Sequence, residues 1–383
     1  MIALEARPEP SRLLAWLSPL IALGMTVVVA ALLFVLLDRD PVQGLRMFLV
    51  EPLNGARGIS EVALKSTPLI LCALGLAVCY RANVWNIGAE GQFLLGAITG
   101  GGVALWFTAN QVPIDRWSFF PIAIVAGALG GMLWAGIVAL LRDRFNASEI
   151  LVSLMQVYVA NLLLSYLVFG PWKDPKGFNF PQTMSFASGT QLPRLVTGLR
   201  AHWGLVVALL AAVATWVFMF RTFRGYQLQV GGLAPAAARY AGFSSRRALW
   251  TALLISGGFA GVAGAFEAVG PAGQLTPHLS TGYGFTAIIV AFVGRLNPIG
   301  CVLGSVLLSM FLIGGELSQS RIGLPSALTG VFQGVLLFSL LACDTLITYR
   351  IRWGAGPVSV APTPAPVVLR DADEHPTRAG AGS

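Results

Sequence analysis

The chain has 383 residues, of which 56% are hydrophobic and only 11% are charged, and its mean hydropathy is +0.74. Soluble domains carry about 25% charged residues, so this composition excludes a soluble globular protein and indicates an integral membrane protein surrounded by lipid. The formal net charge of +8 reflects basic residues near the ends of apolar segments, so no nucleic-acid partner is predicted.

Apolar stretches of about 20 residues recur along the chain, and each can cross a hydrocarbon core about 30 Å thick as a helix. We therefore expect an all-α polytopic membrane protein with about 8–10 transmembrane helices. The first stretch lacks a small-residue cleavage site, which favours a retained helix over a signal peptide. The predicted spans, of which the eighth is too short to cross alone, are 13–37, 63–80, 87–108, 119–141, 149–169, 203–220, 249–269, 283–294, 299–315 and 324–348.

An even number of spans places both termini on the same side of the membrane. A cytoplasmic N-terminus puts Arg81, Arg142 and Arg247 inside, close to helix ends, where the positive-inside bias is strongest. Several arginines fall in the two longest outer segments, where charges weigh less. The predicted organisation is a cytoplasmic N-terminus at 1–12, a transmembrane domain at 13–353 and a disordered, Pro- and Ala-rich cytoplasmic tail at 354–383.

Small residues spaced by four recur in the spans and predict close helix packing. These pairs are Gly96/Gly100, Gly127/Gly131, Gly257/Gly261, Gly300/Gly304 and Gly330/Gly334. The four cysteines lie in predicted spans as packing residues, and the three histidines show no ligand spacing, so no metal site is predicted.

The longest predicted inner connection, 221–249, contains a start-and-stop pattern for a short helix. Pro235 precedes an alanine-rich stretch at 236–240, and Gly242 ends it. Such a helix is what a membrane subunit would present to a soluble partner. The alternative is a basic loop kept inside by its charge, and spacing alone does not separate the two.

Four polar residues, Asn83, Asn86, Glu90 and Gln92, interrupt the apolar sequence between the second and third predicted spans. If the chain is helical from Arg81, Glu90 lies about 13 Å inward, close to the membrane midplane. A carboxylate facing lipid there would cost at least about 2.5 kcal/mol, so Glu90 should face protein or water.

Two glycines, Gly88 and Gly91, flank this carboxylate, and Asn86 is a good N-cap residue. This pattern predicts a broken helix whose N-terminal dipole favours Glu90 and whose backbone lines a cavity. The alternative is a structural role, in which Glu90 pairs with Arg81 or Lys65 or holds helix ends together.

None of the chain's three lysines follows a glycine, so the sequence has no Walker A phosphate-binding loop. We therefore expect no nucleotide cofactor on this chain, and any ATP would be used by another subunit. The sequence also lacks a Gly-x-Ser-x-Gly elbow and a His-Glu-x-x-His helix, which weakens an enzymatic interpretation.

Three segments resemble signature segments of bacterial ABC-importer permeases, in the group that includes the ribose and branched-chain amino-acid permeases. They read NVWNIGAEGQFLLGA (83–97), APAAARYAGFSSRRA (234–248) and GYGFTAIIVAFVGRLNPIG (282–300). The first is most similar to nucleoside (guanosine-type) uptake permeases, which work with basic-membrane-protein-type lipoproteins. The resemblance covers about 13–352.

The resemblance implies a type II importer fold, in which 13–353 is the permease domain of an ATP-driven nucleoside importer in the bacterial inner membrane. Its implied partners are an ABC ATPase, a second and often different permease, an extracytoplasmic substrate-binding lipoprotein docked on the outer loops 38–60 and 171–202, and membrane lipid. The implied pathway residues are Asn83, Asn86, Glu90 and Gln92. The implied ATPase-coupling residues are Pro235, Ala236, Ala237, Ala238, Arg239 and Tyr240. The family usually has Asn-Pro before the coupling alanines, whereas this chain has Ala234-Pro235, a departure that affects one cap contact.

Other interpretations remain open on the sequence. The solute could be a simple sugar, a riboflavin-like ligand or a branched-chain amino acid. An ion-coupled secondary transporter would use intramembrane carboxylates such as Glu90 and Glu267 and would need no ATPase. An intramembrane enzyme would need convergent catalytic groups, and only scattered ones are visible.

Overall fold

The computed structural model describes residues 2–6, 12–325 and 327–353. Among these residues the chain is built from helices, with one short antiparallel pair of strands, β1 (Ile2–Ala6) and β2 (Tyr349–Trp353). The predicted tail at 354–383 and part of the predicted N-terminal segment lie outside the described residues. The helices are α1 (Arg12–Leu36), α2 (Pro41–Leu49), α3 (Gly55–Arg81), α4 (Ala89–Ala109), α5 (Arg116–Phe145), α6 (Glu149–Phe169), α7 (Gly204–Arg221), α8 (Phe223–Leu233), α9 (Pro235–Tyr240), α10 (Ser245–Glu267), α11 (Tyr283–Val293), α12 (Pro298–Ile322) and α13 (Ala327–Thr348).

Nine helices of the described chain are long and apolar enough to cross a membrane, and α11 is a shorter apolar helix. This confirms the predicted all-α polytopic fold, and α11 is the eighth predicted span. Two short helices, α2 and α8, were not predicted. A local signal for α2 is present, since Asp40 caps it by accepting from the Val42 N–H and Pro41 occupies its first position.

The core forms where α10 packs against α3, α4 and α5 through small residues. A Cβ atom added to Gly96 of α4 would lie 2.0 Å from the Gly261 carbonyl of α10, and one added to Gly131 of α5 would lie 2.0 Å from the Gly257 carbonyl. These backbones approach so closely that only glycine fits, as the predicted spacing implies. By contrast, an added Cβ at Gly330 of α13 meets nothing within 4 Å.

The ends of several helices meet around α9 on one side of the bundle, which we call the α9 face. The Arg81 guanidinium, at the end of α3, donates to the Leu296 carbonyl at 2.8 Å and to the Gln229 side chain of α8 at 3.0 Å. Arg246, at the start of α10, pairs with Asp143, near the end of α5, at 2.7 Å. Pairing of β1 with β2 brings together the segments that flank the first and last helices, so both lie on the same side of the bundle.

The segment between α6 and α7 covers the other end of the bundle, which we call the opposite face. Its backbone is tied to the chain after α10, because the Phe186 N–H donates to the Gly273 carbonyl at 2.8 Å. It is also tied to α3, because the Ala201 N–H donates to the Ser60 hydroxyl at 2.9 Å. His202 of this segment is buried, which lowers its pKa to about 4, and its Nδ1 accepts from the Gly204 N–H at 3.0 Å.

Candidate translocation site

The predicted helix break lies between α3 and α4, at 82–88, and a buried side-chain network holds its shape. The Asn86 amide nitrogen donates to Gln92 Oε1 at 3.0 Å and to the Ser256 hydroxyl of α10 at 2.9 Å. Its amide oxygen accepts from the Gly88 N–H at 3.0 Å and from Gln92 Nε2 at 3.2 Å. Both ends of the Asn86 amide are therefore satisfied, and the turn is fixed to the centre of α10. The N-cap of α4 is Gly88, the residue immediately before the helix. Asn86 therefore stabilises the turn and is not the N-cap that the sequence predicted.

Glu90 lies in the first turn of α4, and its carboxylate reaches the first turn of α11. Its Oε2 accepts from the Gly284 N–H at 2.7 Å, and the Ser280 hydroxyl is a further hydrogen-bonding neighbour. The carboxylate, which is 5% exposed, therefore belongs to the first turn of α4 and binds the first turn of α11, so the positive ends of both helix dipoles stabilise its charge. The contact depends on glycine, because a Cβ at Gly284 would lie 2.2 Å from the Glu90 backbone nitrogen.

The depth of this contact follows from the length of α11. The helix runs for 11 residues, or about 16 Å, from the Glu90 contact to the α9 face, where Leu296 accepts from Arg81. Glu90 is therefore close to the middle of a hydrocarbon core about 30 Å thick. Lys65 forms its ion pair with Glu316, so it is not the partner of Glu90. Arg81 is not that partner either, because it donates to Leu296 and Gln229.

Helix α9 has the predicted extent and lies on the surface of the α9 face. Pro235 occupies its first turn, Ala234 makes no side-chain cap bond, and Gly242 follows it with φ +78°. The helix has two distinct sides, because Ala238 is 4% exposed whereas Tyr240 is 97% exposed. Its exposed side could therefore contact another protein, while Ala238 anchors it to the bundle.

The structure brings together only part of the predicted pathway set. Asn86 and Gln92 belong to one buried hydrogen-bonded group next to Glu90. Asn83 is exposed nearer the α9 face, has a positive φ of 55° and accepts from the Trp85 indole N–H at 3.1 Å. Ser256 binds Asn86, and Gly284 binds Glu90. Both partners are distant in sequence from the turn, so no local sequence signal indicated them. The pathway and coupling roles remain predictions.

A bundle of membrane-crossing helices with a broken helix at its centre defines a polytopic α-helical membrane protein. The chain belongs to the family described as branched-chain amino acid transport system / permease component, whose family model matches residues 58–341. This confirms the family resemblance of the three sequence segments. No solved structure matches the chain.

Two curated relatives are similar over nearly their whole length, and a third over about three quarters of its length. The chain is 34% identical to the "Glucose ABC transporter permease protein TsgB13" of Haloferax volcanii, covering 91% of this chain and 93% of the relative. It is 31% identical to the "Guanosine ABC transporter permease protein NupP" of Bacillus subtilis, covering 90% and 97%. It is 27% identical to "Guanosine ABC transporter permease protein NupQ" of the same organism, covering 63% and 76%. The chain is thus a membrane-embedded ABC transporter permease subunit, a transport component rather than an enzyme.

Proposed function

We propose that the chain forms part of the translocation pathway of an ATP-driven importer for nucleosides. The observation that carries the pathway role is the Glu90–Gly284 contact, where two helices begin inside the bundle and a carboxylate in the first turn of one binds the first turn of the other. Helix breaks at this depth are tolerated where the backbone lines a cavity or packs in protein, and they mark substrate sites in transporters. The guanosine permease relative supports a nucleoside as the solute.

A sugar is the second candidate solute. The relative named as a glucose permease is 34% identical over 91% of this chain, slightly more similar than the guanosine permease. Nucleosides and simple sugars are both neutral. Both also present neighbouring hydroxyl groups to the protein, because a nucleoside carries a ribose. The two candidates differ in the nucleobase, which a sugar lacks.

Helix α9 is proposed as the contact with the ATPase. In this proposal the ATPase binds and hydrolyses the ATP, and this chain binds no nucleotide. Its exposed side offers Pro235, Ala236, Ala237, Arg239 and Tyr240, and Leu233 just before it is also exposed. An exposed apolar and aromatic patch of this kind is typical of a protein contact. In this proposal the α9 face is cytoplasmic, because basic residues near helix ends are enriched on the cytoplasmic side of a membrane. The arginines near this face are Arg81, Arg142 and Arg246.

A second, different permease is proposed to complete the pathway, because Bacillus subtilis has two guanosine permease proteins similar to this chain. The opposite face would then receive the substrate-binding lipoprotein. The ordered segment between α6 and α7 offers a stable surface for it, since backbone hydrogen bonds tie this segment to α3 and to the chain after α10. In this proposal the complex lies in the inner membrane of a bacterial cell, with both termini of this chain cytoplasmic.

The test is transport by the complex that copurifies with this chain from membranes. After reconstitution into vesicles, we expect ATP-dependent uptake of guanosine that unlabelled nucleosides suppress, and no ATP hydrolysis by this chain alone. Suppression by glucose with no effect of nucleosides would assign a sugar instead. Uptake driven by an ion gradient without ATP would contradict the proposed importer.

A further inference from the structure

A second group of charged residues lies in the bundle, apart from Glu90 and towards the opposite face. Lys65 of α3 and Glu316 of α12 form an ion pair with Nζ and Oε1 3.3 Å apart. Glu267, the last residue of α10, interacts electrostatically with both. Three membrane-crossing helices therefore each contribute one charged side chain, and Arg200, before α7, also interacts electrostatically with Glu267.

Glu316 is the exposed member of this ion pair. Its side chain is 61% exposed, whereas that of Lys65 is 18% exposed. Glu316 precedes the end of α12 at Ile322 by about 9 Å, and Lys65 follows the start of α3 at Gly55 by about 15 Å. Glu316 also follows the start of α12 at Pro298, near the α9 face, by 18 residues or about 27 Å. It therefore lies close to the outer boundary of a core about 30 Å thick, where water can reach its exposed carboxylate.

This group continues inward to the Glu90 site. The Lys65 ammonium lies 5.8 Å from the centre of the Tyr283 ring. Tyr283 is the first residue of α11 and precedes Gly284, which donates to Glu90. Lys65 and Tyr283 thus lie between the exposed carboxylate of Glu316 and the Glu90 contact at the centre of the bundle.

We propose that Lys65, Glu267 and Glu316 form a binding site for neighbouring hydroxyl groups of a neutral solute, on the half of the route towards the opposite face. The two oxygens of the exposed Glu316 carboxylate can accept from two adjacent hydroxyls, and the Lys65 ammonium can donate to a hydroxyl oxygen. Such a site binds the hydroxyl pair of a ribose or of a hexose. The inference rests on the proposed transport function and names the part of the solute that is recognised.

The chain offers a matched control for the Lys65–Glu316 pair. Glu51 and Arg321 form a second ion pair, 3.4 Å long, between the segment before α3 and the same helix α12. Arg321 is next to the last residue of α12, nearer the end of the helix than Glu316. Arg321→Gln therefore removes a second ion pair of the same helix, α12, without altering the proposed site or the outer loops.

The test compares uptake of solutes with and without the hydroxyl pair by the reconstituted complex. One arm uses guanosine and 2′,3′-dideoxyguanosine, and the other uses glucose and 2-deoxyglucose, so the arms distinguish a ribose from a hexose. The wild-type complex should prefer the fully hydroxylated member of one pair. Glu316→Gln should reduce that preference by about tenfold, while Arg321→Gln should leave it unchanged. The same binding protein serves every variant, so a change in preference comes from the permease.

Retention of the preference by Glu316→Gln, or equal loss of it in both variants, would overturn the proposed site. If Glu316→Gln lowers the melting temperature of the complex, Glu316→Asp decides instead, because it keeps the charge but retracts the carboxylate by one methylene group. Unchanged preference in that variant would also overturn the site. Absence of ATP-driven uptake of either solute by the wild-type complex would instead contradict the proposed function.

Discussion

The carboxylate of Glu90 in α4 accepts a hydrogen bond from the backbone N–H of Gly284 in α11 at 2.7 Å, although 194 residues separate the two in sequence. The contact joins two helices that both begin near the middle of the bundle. It makes a buried charge tolerable and fixes the spacing between α4 and α11.

Substitution of Gly284 should break this contact from the side of α11. In Gly284→Ala the new Cβ would lie 2.2 Å from the Glu90 backbone nitrogen, so the two helices must separate. We expect a loss of about 1–3 kcal/mol in stability and loss of uptake. Gly330→Ala is the matched control, because an added Cβ there meets nothing within 4 Å. Equal melting temperatures and equal uptake for the two variants would contradict the contact.

Substitution of Glu90 separates its charge from its hydrogen bond. Glu90→Gln keeps an oxygen that can accept from Gly284, so we expect altered uptake with little change in melting temperature. Glu90→Leu leaves the buried Gly284 N–H without an acceptor, at a cost of about 1–3 kcal/mol. Thermal melting of the detergent-solubilised complex, measured beside transport, checks both expectations. If the two variants lose stability and uptake in proportion, Glu90 has a structural role only.

Substitutions in α9 should have different effects on its two sides. Tyr240→Asp places a charge on the exposed side, so we expect uptake to fail while the protein remains folded and inserted, because a charge is costly in a protein contact. Arg239→Glu should behave in the same way. Ala238→Asp should instead lower the melting temperature, because Ala238 is 4% exposed and anchors the helix. Normal uptake by both exposed-side variants would show that α9 is a surface helix without a coupling role.

Acidification should destabilise the opposite face through His202. Burial lowers the pKa of His202 from 6.5 to about 4, so the unfolded chain binds more protons between these values. Stability is therefore unaffected by His202 above about pH 6.5 and decreases as the pH falls towards 4, by about 2 kcal/mol at pH 5.

The measurement is the melting temperature of the purified complex between neutral pH and pH 5. His202→Asn, which retains a side-chain acceptor for the Gly204 N–H, should show a smaller decrease than the wild type. His278→Asn is the control, because His278 is exposed on the same side of the bundle. An identical pH dependence in His202→Asn and the wild type would contradict the assignment.

Features with local causes were predictable from sequence. The apolar spans follow from composition, and α9 follows from Pro235 and Gly242, which act within one or two turns. The break before α4 was predicted from Asn86 and the glycines around Glu90. The partners Gly284 and Ser256 were not, because they reach the site through tertiary packing. The Lys65–Glu316 pair likewise joins α3 to α12, so a solitary lysine in a span gave no indication of its partner.

Solvent access to position 90 tests the central claim most directly. All four native cysteines would be replaced, and the thiol of Glu90→Cys would be labelled with a small aqueous reagent in the assembled complex, with and without bound nucleotide. Position 90 is buried in this structure, so we expect protection in one nucleotide state and labelling in the other, when the route opens to water. A thiol that stays unlabelled in every nucleotide state would contradict a translocation route at Glu90.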